Sequence, residues 1–292
     1  MKALTNHSMI RHFQGFAVYV MGNESVEMAT VPELGGKIIS LRDLRTNREW
    51  LWHPKEGLKL FKNQLGDDFS LSPLVGMDEC LPTILPCRWR HRQLPDHGEI
   101  WSQPWLVDDA AWQNGTLTAA LKLSISPLIF KRTVELDGNE LRFTYELANP
   151  TSIEERFVWA LHPLLQLAGG DELELPDSTR RLLNGASWIN AVTSEISERH
   201  CAKAFAHPVA EGWAAIKNEA AGDRLEFAWD PAVNNTLGLW LTRGGWHGHH
   251  HFAVEPTNAN DDSLAVAAGR DQCGRVGGNS TVTWQLTLRV GL

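Results

Sequence analysis

The stretch Thr281-Val282-Thr283-Trp284-Gln285-Leu286-Thr287-Leu288-Arg289-Val290 decides the fold class. Its apolar residues fall on every second position. As a strand it therefore buries Val282, Trp284, Leu286, Leu288 and Val290 on one face and wets the other. The same period of two runs through Leu141, Phe143, Tyr145 and Leu147, and through Leu117, Ala119, Leu121, Leu123 and Ile125 within Thr116 to Ser126. Leu225, Phe227 and Trp229 repeat it over a shorter span. Asn114-Gly115 and Asp137-Gly138 sit between alternating runs, where hairpins need residues that tolerate positive φ. No long segment carries the 3.6-residue period of an amphipathic helix, and only Ser178 to Arg199 leaves room for a helical turn or two. With no repeat, low-complexity tract or flexible linker, residues 1–292 read as one antiparallel, all-β domain.

Composition narrows the partners. The chain sets 27 Lys and Arg against 35 Asp and Glu, a formal net charge of −8. That balance argues against a nucleic-acid binder, which needs a basic footprint to displace counterions, and against docking on anionic membranes. A hydrophobic content of 43% excludes disorder. No segment reaches the roughly 18 uninterrupted apolar residues of a spanning helix. Met1 to His7 offers no apolar signal-peptide core before Arg11, so a soluble, cytoplasmic protein is expected. Cys80, Cys87, Cys201 and Cys273 form no CxxC pair, which predicts reduced thiols rather than a zinc knuckle. Thirteen Trp against two Tyr is an unusual ratio, and indole faces suit sugar-lined clefts as well as cores.

Residues able to do chemistry concentrate in a few segments. Leu94-Pro95-Asp96-His97-Gly98-Glu99-Ile100-Trp101 reads as a loop, from which His97 reaches either a ligand or local backbone. In Phe157-Val158-Trp159-Ala160-Leu161-His162-Pro163-Leu164, His162 interrupts an apolar strand that Pro163 must end. A partly desolvated imidazole there serves as a general acid near neutral pH or as a satisfied core histidine. In Trp246 to Pro256, a strand would place His247, His249, His251, Ala253 and Glu255 on one face, with Phe252 and Val254 in the core. Glu255 is then a base with a raised pKa or a buried ion-pair partner. The spacing His249-x-His251-x3-Glu255 also fits a divalent-metal site, although no histidine follows His251 to complete a second cupin-type motif.

Together these segments resemble the galactose mutarotase-like superfamily, specifically the aldose 1-epimerases. Val31-Pro32-Glu33-Leu34-Gly35-Gly36-Lys37-Ile38-Ile39-Ser40-Leu41 with Arg48-Glu49-Trp50-Leu51-Trp52 is similar to that family's opening strands. Asp96-His97-Gly98 and Leu161-His162-Pro163 match its two active-site histidines. Val254-Glu255-Pro256, with Asn260 to Leu264 and Gly277-Gly278-Asn279-Ser280, matches its glutamate segment. The resemblance runs from about residue 16 to the C-terminus. It implies a β-supersandwich of two large antiparallel sheets, no cofactor and no metal, and an isomerase that interconverts the anomers of a small-molecule sugar as a monomer or homodimer. By the same resemblance Glu255 would take the anomeric hydroxyl proton, His162 would protonate the ring oxygen and His97 would hold the sugar beside it.

One departure bears on the substrate. Hexose-6-phosphate epimerases carry an Arg-Gly-Gly-like phrase where this chain has Val75-Gly76-Met77-Asp78-Glu79-Cys80-Leu81-Pro82. Carboxylates grip vicinal hydroxyls and repel phosphate, so Asp78 and Glu79 are expected either to grip the hydroxyls of a free aldose or to form an ordinary loop salt bridge. Arg88, with Arg90 and Arg92, keeps the phosphosugar alternative. Trp240 would form a wall of the site, and Trp101, Trp105, Trp159 and Trp246 are expected near it, with Trp229 and Trp284 in the core. A catalytically silent sugar-binding protein on the same fold, and a metal-dependent sugar isomerase or lyase, are the remaining alternatives.

Overall fold

The computed structural model describes residues 5–183, 188 and 199–291, and in it the period-two segments are strands. Ser280–Val290, Glu140–Asn149 and Asp223–Trp229 each bury alternate side chains. Asp137-Gly138 turns the chain between Ile129–Asp137 and Glu140–Asn149, with Gly138 at φ 62°. Asn114-Gly115 is a different object from the expected hairpin. It ends the short helix Asp109–Gln113, which Asp108 starts by accepting the amides of Ala110 and Ala111. The strand expected to reach Ser126 runs only over Leu117–Lys122. The Ile125 and Ser126 amides are taken instead by the buried carboxylate of Glu99, at 2.6 and 2.9 Å. Within Ser178 to Arg199, helix Asp177–Leu182 supplies the expected turns, but Asp109–Gln113 and Leu264–Gly269 are helical too, against the expectation of a single helical place; 184–187 and 189–198 lie outside the described residues.

The strands form two large antiparallel sheets. One runs His7–Phe13, Phe16–Gly22, Val26–Val31, Lys37–Asp43, Met77–Cys80, Ala160–Pro163, His250–Thr257, Thr236–Arg243 and His200–Ala206, with Arg48–Glu49 paired to the fourth. The other has eight strands, with Ser280–Val290 and Glu140–Asn149 at its centre. Between them lies one apolar core. Phe130, Phe143, Tyr145, Phe227, Trp284 and Leu288 come from the eight-stranded sheet, and Met28, Ile38, Leu41, Leu161, Phe252 and Val254 from the other. Among the described residues no helix is long and apolar enough to cross a membrane.

Glu79 belongs to this core and not to a sugar site. Adjacent residues of a strand point to opposite faces, so Asp78 and Glu79 cannot share a surface. Glu79 turns between the sheets, where Tyr145 donates to it at 2.9 Å and Arg132 at 3.2 Å. Arg132 also donates to the Gly36 carbonyl and lies 4.6 Å over the Trp105 ring. Glu79→Ala leaves that guanidinium buried without its carboxylate and is expected to lower stability by about 3 kcal/mol. Urea unfolding measures this, and a change under about 1 kcal/mol would contradict the assignment.

Candidate functional site

Register builds the site on the outer face of the larger sheet. His162 opposes Asp78 on one side, and the pairing of Ala160 with Thr257 places Glu255 beside His162 on the other. Gly238 opposes Glu255, and Phe205 opposes Gly238. Opposed residues of antiparallel strands share a face, so these side chains stand in one row across the sheet. His162 Nε2 lies 3.6 Å from Glu255 Oε1. Lys203, two residues from Phe205, reaches back so that its Nζ is 3.3 Å from Glu255 Oε2 and 2.8 Å from Asp262 Oδ1. The strand bearing His162 ends at Pro163, which has no N–H to extend the ladder.

His97 arrives over this row on a loop with its own bracing. The Trp101 indole donates to the Asp96 carbonyl at 2.9 Å, and the Glu99 amide bonds to Leu81 O at 2.6 Å. His97 and Gly98 both have positive φ, 54° and 77°. The loop can press so close to Leu81 only because residue 98 has no Cβ, which would run into the Leu81 carbonyl. The His97 ring stacks on Phe69 at 3.9 Å, bonds Asp96 through Nδ1 at 3.0 Å and stands 5.4 Å from the His162 ring. His97, His162, Glu255, Lys203, Asp262 and Trp240 thus line one cleft of about 370 Å³.

The charges differ from the sequence expectation. Burial, followed by the positive charges of His97 and Lys203, pushes His162 well below its ordinary value, so its ring is neutral. The expected protonated His162 is therefore not what this environment favours. Burial would raise Asp96, but the His97 ring and the Phe69 amide outweigh it and hold the carboxyl below its usual range. Burial works against the Lys203 ammonium, yet Glu255 and Asp262 outweigh it and raise its pKa.

The remaining candidates fall into place around the cleft. Asp78 shares the row but pairs with the buried Lys37 and does not line the cleft. Arg88 is exposed on the small hairpin of Cys87–Trp89 and Arg92–Leu94, outside the cleft, while Arg90 and Arg92 pair with Glu155. Trp246 stands perpendicular to Trp240 at 6.1 Å, and both line the cleft. Trp101 supports Phe69 edge-on, whereas Trp105 and Trp159 are buried between the sheets. A lone lysine in Ala202-Lys203-Ala204 reads as a solvated strand position, so no local signal distinguishes Lys203. Asp262 sat unassigned in the glutamate segment. Phe69 lies in a stretch with no periodic pattern to expose it.

The histidine run is shorter as a strand than expected. It begins at His250, and His247 and Gly248 are in a turn with positive φ. His251 Nε2 accepts the Trp240 indole N–H at 3.1 Å, so that nitrogen is not free for a metal. Among the described residues no group of three or more His, Cys, Asp or Glu converges as it would on a metal ion. Burial, with neighbouring histidines, lowers the His251 pKa to about 3. The ring is neutral above that value and loses the Trp240 bond only as pH falls through it. Its 15N signals are expected to stay constant from about pH 5 to about pH 8, where an ordinary histidine titrates. A titration midpoint near 6.5 would refute this.

No family model and no curated protein matches the chain. Solved structures do. A galactose mutarotase-like protein from Clostridium acetobutylicum superposes with TM-score 0.70 at 15% identity, covering 100% of both chains. A second, from Lactobacillus casei, gives 0.63 at 13%, covering 97% of this chain and 100% of that one. The fold is that of the galactose mutarotase-like proteins. A protein from Klebsiella pneumoniae named a "putative aldose 1-epimerase" gives 0.71 at 13%, covering 99% of this chain and 88% of that one. In this mutarotase-like fold the cleft lies on the outer face of one sheet, away from the core that joins the two.

Proposed function

We propose that the chain is an aldose 1-epimerase acting on a free aldose. The observation that carries the proposal is the buried Glu255 carboxylate, 3.6 Å from the His162 imidazole, in a cleft that also holds His97. Opening a hemiacetal needs a base at the anomeric hydroxyl and a proton for the ring oxygen. Glu255 takes the hydroxyl proton; the electrons left on that oxygen form the C1 carbonyl, and the bond from C1 to the ring oxygen breaks. The ring oxygen takes its proton from His97, whose Nδ1 is bonded to the Asp96 carboxylate, because a neutral His162 would have to become an imidazolate to give one up. His162 serves as a hydrogen-bond donor beside the base, and His97 recovers its proton when the ring recloses. Rotation about C1–C2 and reclosure by the reverse steps give the other anomer.

The lining favours an uncharged sugar. Asp68, Asp96, Glu255 and Asp262 border the cleft, Lys203 is already shared by two of them, and among the described residues no arginine lines it. A phosphate would meet net negative charge. Saturation-transfer NMR between α and β anomeric protons, over a panel of free aldoses and their 6-phosphates, tests the reading. Exchange of at least one free aldose well above buffer is expected. No acceleration of any sugar, with binding retained, would leave a silent sugar-binding cleft instead.

A further inference from the structure

We propose that Lys203, braced by Asp262, is a positioning residue that fixes the orientation of Glu255 and keeps it ionised for proton abstraction. The inference rests on the epimerase reading above. Glu255 is only 1% exposed, and a buried carboxylate without a compensating cation takes up a proton and ceases to be a base.

Among the described residues facing Glu255, the cation in ion-pair contact with its carboxylate is Lys203. From the strand Ala160–Pro163 comes His162, which burial holds neutral. From Met77–Cys80 comes Cys80, whose thiol is pushed up by burial and by Glu255 itself. On its own strand His251 is neutral and bonded to Trp240. Across the cleft His97 is bonded to Asp96, and from the loop before helix Leu264–Gly269 comes another carboxylate, Asp262. Lys203, from His200–Ala206, is the lysine among them, and its ammonium sits on Oε2.

The geometry gives it a second effect. Lys203 Nζ stands 3.3 Å from Oε2 while His162 Nε2 stands 3.6 Å from Oε1, so a different group faces each carboxylate oxygen and the cation lies on the Oε2 side. Gly238 keeps the space beneath open, since a Cβ there would lie 3.0 Å from Oε2. A lysine chain is flexible, and Asp262 at 2.8 Å from Nζ removes that freedom. The Lys203 ammonium also lies over the Phe205 ring, with Nζ 5.3 Å from its centroid.

The test compares wild type with Lys203→Met, Lys203→Gln, Lys203→Arg and Asp262→Asn. The substrate is a free aldose that wild type anomerises and Glu255→Gln does not. For Lys203→Met and Lys203→Gln, kcat is expected to fall at least about 30-fold with KM within about threefold, and the acid limb of kcat/KM to move up by about one pH unit or more. Lys203→Arg should restore most of both, and Asp262→Asn should lower kcat without raising the acid limb. The two neutral variants differ in polarity, so whichever folds decides the matter. An unmoved acid limb, or a loss confined to KM, overturns the proposal, the latter because Lys203 would then merely touch the sugar. Wild type inert on every aldose defeats the epimerase reading and this inference together; an active wild type with an unmoved limb defeats this inference alone.

Discussion

Glu255→Gln is expected to reduce anomeric exchange by about a thousandfold or more, in the range assigned to loss of a positioned general base. The substitution keeps the shape of the side chain and removes its ability to take a proton. It also keeps the site intact, because Lys203 retains Asp262 as an ion-pair partner and the buried position does not become a cavity. The fold should therefore survive, with an unfolding midpoint close to that of wild type, while exchange of the α and β signals falls to the buffer rate. Saturation transfer at matched protein concentration reads the first quantity and urea unfolding the second. Exchange by the variant equal to that of wild type would remove Glu255 from the chemistry, and the aldose 1-epimerase proposal with it.

Gly98→Ala should damage both stability and turnover, although residue 98 contributes no functional group. Its φ of 77° is costly for any residue with a Cβ, and the new methyl would collide with the Leu81 carbonyl. The loop cannot back away freely. The Glu99 amide bonds to Leu81 O, the His97 amide bonds to Ile84 O at 2.6 Å, and the Glu99 carboxylate holds Ile125 and Ser126. Several of these bonds must break together, so a loss of about 3–5 kcal/mol is expected, at the severe end for a point change. In the fraction that stays folded, His97 leaves its stack on Phe69 and kcat drops by about a hundredfold, the scale of a misplaced group near the reacting atoms. A variant with wild-type stability and activity would show that the loop accommodates the methyl and that His97 does not depend on it.

Local pattern and tertiary placement can be separated residue by residue. Ser280–Val290 and Glu140–Asn149 were legible because alternation is a property of the strand itself, independent of what covers it. The strand end at Pro163 was legible because a missing N–H is a local fact. The Thr116 to Ser126 strand was overextended because a distant carboxylate, Glu99, competes for the amides that would have continued it. Asn114-Gly115 misled because the same pair that turns a hairpin also ends a helix.

The residues that gather at the cleft divide in the same way. Histidines at a loop and at a strand end, and a glutamate before a proline, stood out as chemistry out of place in apolar surroundings, so the sequence alone pointed to His97, His162 and Glu255. It also contained the rule that Asp78 and Glu79 must face apart. Which of them faced the core depended on Arg132 and Tyr145, far along the chain and on the other sheet. Charge was decided later still. The neutrality of His162, the ion pairing of Lys203 with Glu255 and Asp262, and the capture of His251 by Trp240 arise from burial and from neighbours on other strands. A strand's period is set by its own backbone and can be read from one segment, whereas a side chain's charge and partners are set by the field of residues that only the folded sheet brings within a few ångströms.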